Sequence, residues 1–299
     1  MIIEGKVIRK IQGFYFIYTN YTFKNIEDFE NKLIKCKLRG NLKIKNKKDN
    51  CIIGDNVLVD TDLDIIVEIL ERNNFLKRPL ISNIDNLAIT FSAKDPDFDI
   101  IQFQKLLLNI HKNNLVPLLL ITKFDLMSEN EKKEIDNILK ENFPYLKYFF
   151  ISHDNSIFNN EFSEFKKYIS NKNVIITGPS GVGKSTLINN ILNQEILITG
   201  DISQKTKKGK NTTVDTRFFP YNNGFIIDTP GFSSIEFPNF KNLLDIKEYF
   251  PEINELSSEC KFSNCIHIHE PNCNVKEKLN KLRYDFYKLI YQNMQKGEK

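Results

Sequence analysis

The chain has 299 residues, 41% hydrophobic and 27% charged, a balance that suits a folded protein and excludes a disordered or fibrous one; its length suggests two or three domains. The longest apolar run, residues 115–121, is far too short to cross a bilayer, and the first ten residues lack the regions of a signal peptide, so a cytoplasmic protein with no membrane partner is expected. The net charge of +4 is only mildly basic, but half of residues 35–48 are Lys or Arg and a second basic run covers residues 204–210, places where phosphates of a nucleic acid are neutralised.

Residues 1–71 read as β-rich. Strands are expected in "KVIRKIQGFYFIYT", where Gly13 marks a bulge, in "KCKLRGNLKI", and on both sides of a polar turn in "NVLVDTDLDIIVEIL". Several short strands in so few residues suit an OB-fold barrel, an architecture whose exposed strand face commonly binds RNA. Residues 72–236 change character. Apolar strands at 87–91, 115–121, 148–151, 174–176 and 225–227 alternate with helices such as 100–112 and 129–141, which predicts a mostly parallel sheet in an α/β domain. In residues 237–299 the strands stop. "KNLLDIKEYFPEINEL" is predicted helical up to its proline-bearing turn. Residues 275–295 are predicted to form an amphipathic helix with Leu279, Leu282, Phe286, Leu289 and Ile290 on one face.

Short motifs follow several of the apolar strands. "GPSGVGKST" (Gly178, Pro179, Ser180, Gly181, Val182, Gly183, Lys184, Ser185 and Thr186) is a phosphate-binding loop: glycines let backbone N–H groups approach a di- or triphosphate, Lys184 reaches the β- and γ-phosphates, and the Ser185 hydroxyl binds Mg²⁺. In "FIIDTPG", Asp228 is placed to hold the magnesium through a water and the Gly231 amide to sense the γ-phosphate. Between them, Thr212 or Thr213 of "KGKNTTVDT" is placed to supply a switch hydroxyl to Mg²⁺. "TKFD" (Thr122, Lys123, Phe124 and Asp125) selects guanine. A carboxylate accepts both the N1–H and the 2-amino group of that base, and the Lys123 stem covers it. Ser152 is placed for a backbone contact to the guanine O6.

The guanine motif precedes the phosphate loop in the chain. Elements that meet at the carboxyl ends of parallel strands need not keep one chain order, so the reading is a circularly permuted P-loop GTPase domain whose last switch leads directly into the C-terminal segment. Phe232 stands where Ras-like switches carry a water-orienting glutamine, which predicts slow intrinsic hydrolysis. In "CKFSNCIHIHEPNC", Cys260, Cys265, His267 and Cys273 make a closed set suited to one structural Zn²⁺, with His269 as a competing ligand. The remaining thiols, Cys36 and Cys51, are expected to be buried in the barrel.

With these motifs in view, the chain resembles the circularly permuted, ribosome small-subunit-dependent GTPases of bacteria, the RsgA type. The likeness rests also on "LRG" at 38–40, "GD" at 54–55, "RNNFLKRP" at 72–79 and "NIDN" at 83–86, and it spans essentially the full length. It implies a monomeric cytoplasmic factor that binds the small ribosomal subunit and its rRNA, not DNA, late in maturation. By the same implication it hydrolyses GTP with Mg²⁺ when the subunit stimulates it, then departs, with the barrel and the zinc segment touching rRNA. The family's first switch usually reads G-R-H-T-T. Here Asn211 takes the histidine's place, and an amide cannot act as acid or base.

Overall fold

The computed structural model of the chain describes residues 1–19, 26–43, 51–77, 79–152, 159–197, 216–229, 240 and 242–297. Five strands near the N-terminus close into a barrel in the order β1-β2-β3-β5-β4: β1 (Ile2–Ile11), β2 (Phe14–Tyr18), β3 (Ile34–Leu38), β4 (Asn56–Asp60) and β5 (Ile65–Ile69). Helix α1 (Ile26–Asn31) links β2 to β3. The β3–β5 pair is parallel and the others antiparallel. Alternate residues point inward, and Val7, Tyr15, Ile17, Cys36, Val57, Val59 and Ile66 fill the interior. Cys36 and Cys51 are buried there, and desolvation pushes their thiols up to about 11 and about 12.

Gly13 does not mark a bulge. Gln12 and Gly13 both have positive φ (49° and 83°) and form the two-residue turn of the β1–β2 hairpin, because that turn matches the right-handed strand twist and its second place favours glycine. The bulge lies between Val7 and Arg9.

A small hairpin, β6 (Phe75–Lys77) and β7 (Leu80–Ser82), leads from the barrel to a six-stranded sheet of order β10-β9-β8-β11-β13-β12. These strands are β8 (Asn86–Ser92), β9 (Val116–Thr122), β10 (Lys147–Phe150), β11 (Asn173–Thr177), β12 (Arg217–Tyr221) and β13 (Gly224–Asp228). All pairs are parallel except β12–β13. Every residue of β8 is buried, as expected for a strand covered on both faces. On one face lie α2 (Ile100–Lys112) and α3 (Glu129–Asn142), through Phe103, Leu106, Ile110 and Leu139. On the other lie α4 (Asn159–Tyr168) and α5 (Lys184–Leu192), through Phe165, Leu187, Ile188 and Ile191. Asp99 caps α2 by accepting from Ile101 N and Gln102 N, and Ser128 and Glu131 form a capping box on α3.

The C-terminal segment is helical: α6 (Leu243–Ile246), α7 (Pro251–Ser257), α8 (Asn274–Lys278) and α9 (Lys281–Gly297). Pro251 opens a helix rather than only ending one, since a first-turn residue needs no hydrogen-bonded N–H. The single helix expected over 275–295 is two. Leu279 is extended (φ −68°, ψ 137°), and the Asn280 side chain accepts from Leu282 N at 3.1 Å, restarting the helix. Leu279 and Leu289 pack with Ile246, Phe250, Phe286, Tyr287 and Ile290 in the segment's own core, which also takes in Leu108 of α2. Leu282 turns to the main core instead.

Two polar clamps join these parts. Asp55, wholly buried, accepts from Arg72 (Nε 2.6 Å, Nη2 2.8 Å), Ser82 Oγ (2.6 Å) and Ile52 N (2.8 Å). Arg283, 4% exposed, donates to Glu252 Oε1 (2.6 Å) on α7 and to Gln104 Oε1 (2.8 Å) on α2, its guanidinium between the rings of Phe143 and Phe250.

Candidate active site and metal centre

The motif-bearing strands lie side by side. β11 runs into the loop 178–183, β13 ends at Asp228 in register with Ile176 of β11, and β9 ends at Thr122. The strand β8 lies between β9 and β11, so base-reading and phosphate-binding elements share one edge of the sheet, although the first precedes the second in the chain.

Gly178 leaves β11 with φ +153°, against Thr90 of β8. A Cβ there would sit 2.0 Å from the Thr90 carbonyl oxygen, so only glycine permits this approach. Pro179 is half-buried, Ser180 and Gly181 are exposed and Val182 is buried. Gly183, with φ 86°, precedes the first residue of α5, and Ser185 and Thr186 follow in the helix's first turn, half-buried. Lys184 folds back over the loop, donating to the carbonyls of Gly178 (2.8 Å) and Pro179 (2.6 Å). Burial pushes its ammonium below the ordinary value, and the Asp228 carboxylate pulls the other way. Burial likewise raises Asp228, opposed by Lys184 and Arg217. Each is a desolvated charge that a phosphate or a divalent cation would complement. The arrangement fits Mg²⁺ held with a phosphate, Ser185 and Asp228 being its candidate partners.

The Thr122 hydroxyl lies 2.5 Å from the Val182 carbonyl oxygen and 3.1 Å from that of Phe91, tying the base-reading strand to the phosphate loop. Lys123 adopts a left-handed conformation (φ 55°), and its ammonium donates to the Asp95 carbonyl in the turn after β8. Phe124 is buried, stacked on Phe150 with centroids 4.0 Å apart. The Ser152 hydroxyl donates to Asp125 Oδ1 at 2.9 Å, so the structure gives Ser152 a side-chain contact with the carboxylate expected to read guanine. The anchoring of Lys123 by Asp95 has no sequence signal, because any residue supplies a backbone carbonyl. Asn211, Thr212, Thr213, Gly231 and Phe232 lie outside the described residues, as does the run 204–210.

The second site stands in the C-terminal segment. One ligand atom each from Cys260, Cys265, His267 and Cys273 lies within 4.8 Å of all the others. His267 Nδ1 is 3.6 Å from Cys260 Sγ and 3.4 Å from Cys273 Sγ, and the two sulfurs are 3.9 Å apart. A metal about 2.3 Å from each sulfur of a tetrahedron sets sulfur–sulfur edges of about 3.8 Å, so the cluster fits one ion. Desolvation pushes the Cys265 thiol up to about 12 and raises Cys273, so a cation is what would let these sulfurs ionise. His269 is exposed and turns its ring toward Tyr291 instead.

The loop carrying these residues is held from two sides. The Glu270 carboxylate accepts from Ile266 N, Ile268 N and His269 N, while Tyr284 and Tyr287 of α9 donate to the carbonyls of His267 and Ile266. Sequence reading missed all three. The tyrosines' i, i+3 spacing on one helix face was their only signal.

Fold and sites together define a circularly permuted P-loop nucleotide-binding protein with an appended helical segment whose Cys/His cluster is suited to a metal ion. A family model described as RsgA GTPase matches residues 69–238. A Fusobacterium nucleatum protein named small ribosomal subunit biogenesis GTPase RsgA is 42% identical over 293 residues, covering 94% of this chain and 96% of that one. A Clostridium novyi protein of the same name is 34% identical, covering 95% and 94%. The chain belongs to the RsgA GTPase family. It is similar to the solved structure of YloQ, described as a circularly permuted GTPase (TM-score 0.75, 29% identity, 99% and 96% covered). It is also similar to YjeQ from Thermotoga maritima (TM-score 0.76, 26% identity, 98% of both chains). None of its helices, among the described residues, is long and apolar enough to cross a membrane.

Proposed function

We propose that this chain is a GTP hydrolase of small ribosomal subunit maturation, stimulated by the subunit and released after turnover. One observation carries the reading. A guanine-selecting motif and a phosphate loop follow β9 and β11, two strands of one sheet separated only by β8, in a chain of the RsgA GTPase family. In this reading Asp125 accepts the guanine N1–H and amino group, with Ser152 orienting it. Loop amides of 178–183 and Lys184 take the phosphates, and Ser185 and Asp228 hold Mg²⁺, with Thr212 or Thr213 completing its shell and Gly231 sensing the γ-phosphate. The barrel, 1–71, serves as the rRNA-binding part, 72–236 as the GTPase domain and 237–299 as the zinc-binding part. Three sulfurs, one imidazole nitrogen and a closed shell favour structural Zn²⁺.

The barrel's fit to RNA is supported by cations set over half-buried rings along β1 to β3: Arg9 over Phe16 (4.3 Å) and Lys35 over Phe14 (4.2 Å). The chain is read as a cytoplasmic monomer without DNA as a partner. The deciding measurement is GTP turnover with and without purified small ribosomal subunits. A marked rise with small subunits and none with large ones is expected, and equal rates would refute the reading. A second reading, nucleotide-gated binding of the subunit with hydrolysis lost, is favoured by Asn211 and Phe232 and predicts GTP-dependent association without a rise in turnover. Restoring the histidine, Asn211→His, then raises the rate.

A further inference from the structure

The face of the sheet that carries α2 and α3 is covered differently at its β12–β13 end. There the cover comes from the barrel. Tyr18 of β2 meets Phe225 of β13 edge-on, with centroids 5.4 Å apart. Phe29 of α1 lies 5.4 Å from Tyr18 and 6.1 Å from Phe225, and Phe225 lies 5.6 Å from Phe218 of β12. Phe29 and Phe225 are 2% and 4% exposed, and Ile8 of β1 joins the same cluster. Rings in these tilted and edge-to-face arrangements hold relative position as well as burying area.

The hairpin so held is the part of the domain that bears the switches. β13 ends at Asp228, three residues beyond Phe225, and β12 begins at Arg217, directly after the segment containing Thr212 and Thr213. The barrel is anchored separately, through Asp55, Arg72 and Ser82, so the rings connect the hairpin to a body fixed elsewhere. Asp125 stands after β9, and β8, β11 and β13 follow in order across the sheet from that strand to β12.

We infer that Tyr18 and Phe29 of the barrel are positioning residues for GTP hydrolysis, acting through Phe225 on the placement of Asp228 and so on the bound magnesium. The inference rests on the proposed hydrolase reading and adds a contribution from outside the 69–238 match. Because a displacement of about 1 Å at a reacting centre costs up to about a hundredfold in rate, a loosened hairpin affects turnover before it affects affinity for the base.

The test compares the native chain with Tyr18→Phe, Tyr18→Ala and Phe225→Leu, reading kcat, the Mg²⁺ concentration for half-maximal turnover, and GDP affinity. Tyr18→Ala and Phe225→Leu are expected to lower kcat by about tenfold or more and to raise the Mg²⁺ requirement, with Tyr18→Phe near native. GDP affinity should stay within about twofold, as for distant sites. Unchanged kcat and Mg²⁺ requirement would overturn the inference. So would GDP affinity falling in step with kcat, the mark of a damaged fold. If Tyr18→Ala does not fold, Phe225→Leu, which keeps an apolar side chain without the ring, decides alone. A native chain that binds nucleotide without hydrolysing it would remove the hydrolase reading only, and the Mg²⁺ dependence of GDP binding in the same variants would still judge the positioning role.

Discussion

At the scale of single residues, the proposed base selectivity turns on a carboxylate and the hydroxyl that orients it. Asp125 sits in the short 3-10 turn Phe124–Leu126 with Ser152 Oγ 2.9 Å away. Guanine offers two adjacent donors to that carboxylate. An amide in its place keeps one acceptor and turns a donor toward the 2-amino group. Asp125→Asn is therefore expected to weaken GTP binding by at least about a hundredfold and to favour XTP, whose 2-oxo group accepts what the amide donates. Ser152→Ala removes a hydrogen bond to a charged group and should weaken GTP by about tenfold while leaving the preference for guanine over adenine intact. Displacement of a fluorescent GDP by GTP, XTP and ATP measures both. ATP competing as well as GTP against the native chain would remove Asp125 from its role.

At the scale of elements, the C-terminal loop 260–273 has little apolar content of its own and is held by the ligand cluster, Glu270 and two tyrosines. Glu270→Ala leaves three backbone N–H groups without their acceptor, and the ligands lose the frame that presents them. The variant is expected to release its metal to a chelator at a concentration about tenfold or more below that needed for the native chain. Protons compete for the same sulfurs, so acidification should favour release in both. Metal loss is followed by a chromophoric chelator, with helix content read alongside. Release at equal chelator concentrations would show Glu270 to be dispensable. This loop also marks where sequence reading stops. Ligand spacing is local, so Cys260, Cys265, His267 and Cys273 were legible, whereas Glu270 and the two tyrosines act on backbone atoms, and nothing beyond the tyrosines' i, i+3 spacing marked them. Buried parallel strands such as β8 and β9 read plainly because both faces are covered. Gly13 was misread because a two-residue turn and a bulge both take glycine, and the break at Leu279 because hydrophobic spacing stays nearly in phase across one extended residue.

At the scale of the whole molecule, the joints between parts were the least legible feature, since each gathers residues distant in the chain. "GD", "RNNFLKRP" and "NIDN" stand out as strings, but only the fold shows Asp55, Arg72, Ser82 and Asn83 meeting at one junction, with Asn83 Nδ2 donating to the Gly54 carbonyl at 3.0 Å. The Asp55 side chain is wholly buried and that of Arg72 is 21% exposed. Arg72→Ala therefore strands a buried carboxylate with Ser82 and Ile52 as its remaining donors among the described residues. Breaking such a pair costs about 3–5 kcal/mol, whereas removing both charges together costs much less. In urea, Arg72→Ala is expected to separate unfolding of the barrel from that of the sheet, seen as barrel transitions at lower denaturant than loss of GDP binding, while Arg72→Met combined with Asp55→Leu moves them back toward one another. Arg72→Met and Asp55→Leu, measured singly and together, close a double-mutant cycle on the coupling energy between the two side chains. A value below about 1 kcal/mol is that of a surface pair and would mean that the barrel is held mainly by the rings of Tyr18, Phe29 and Phe225.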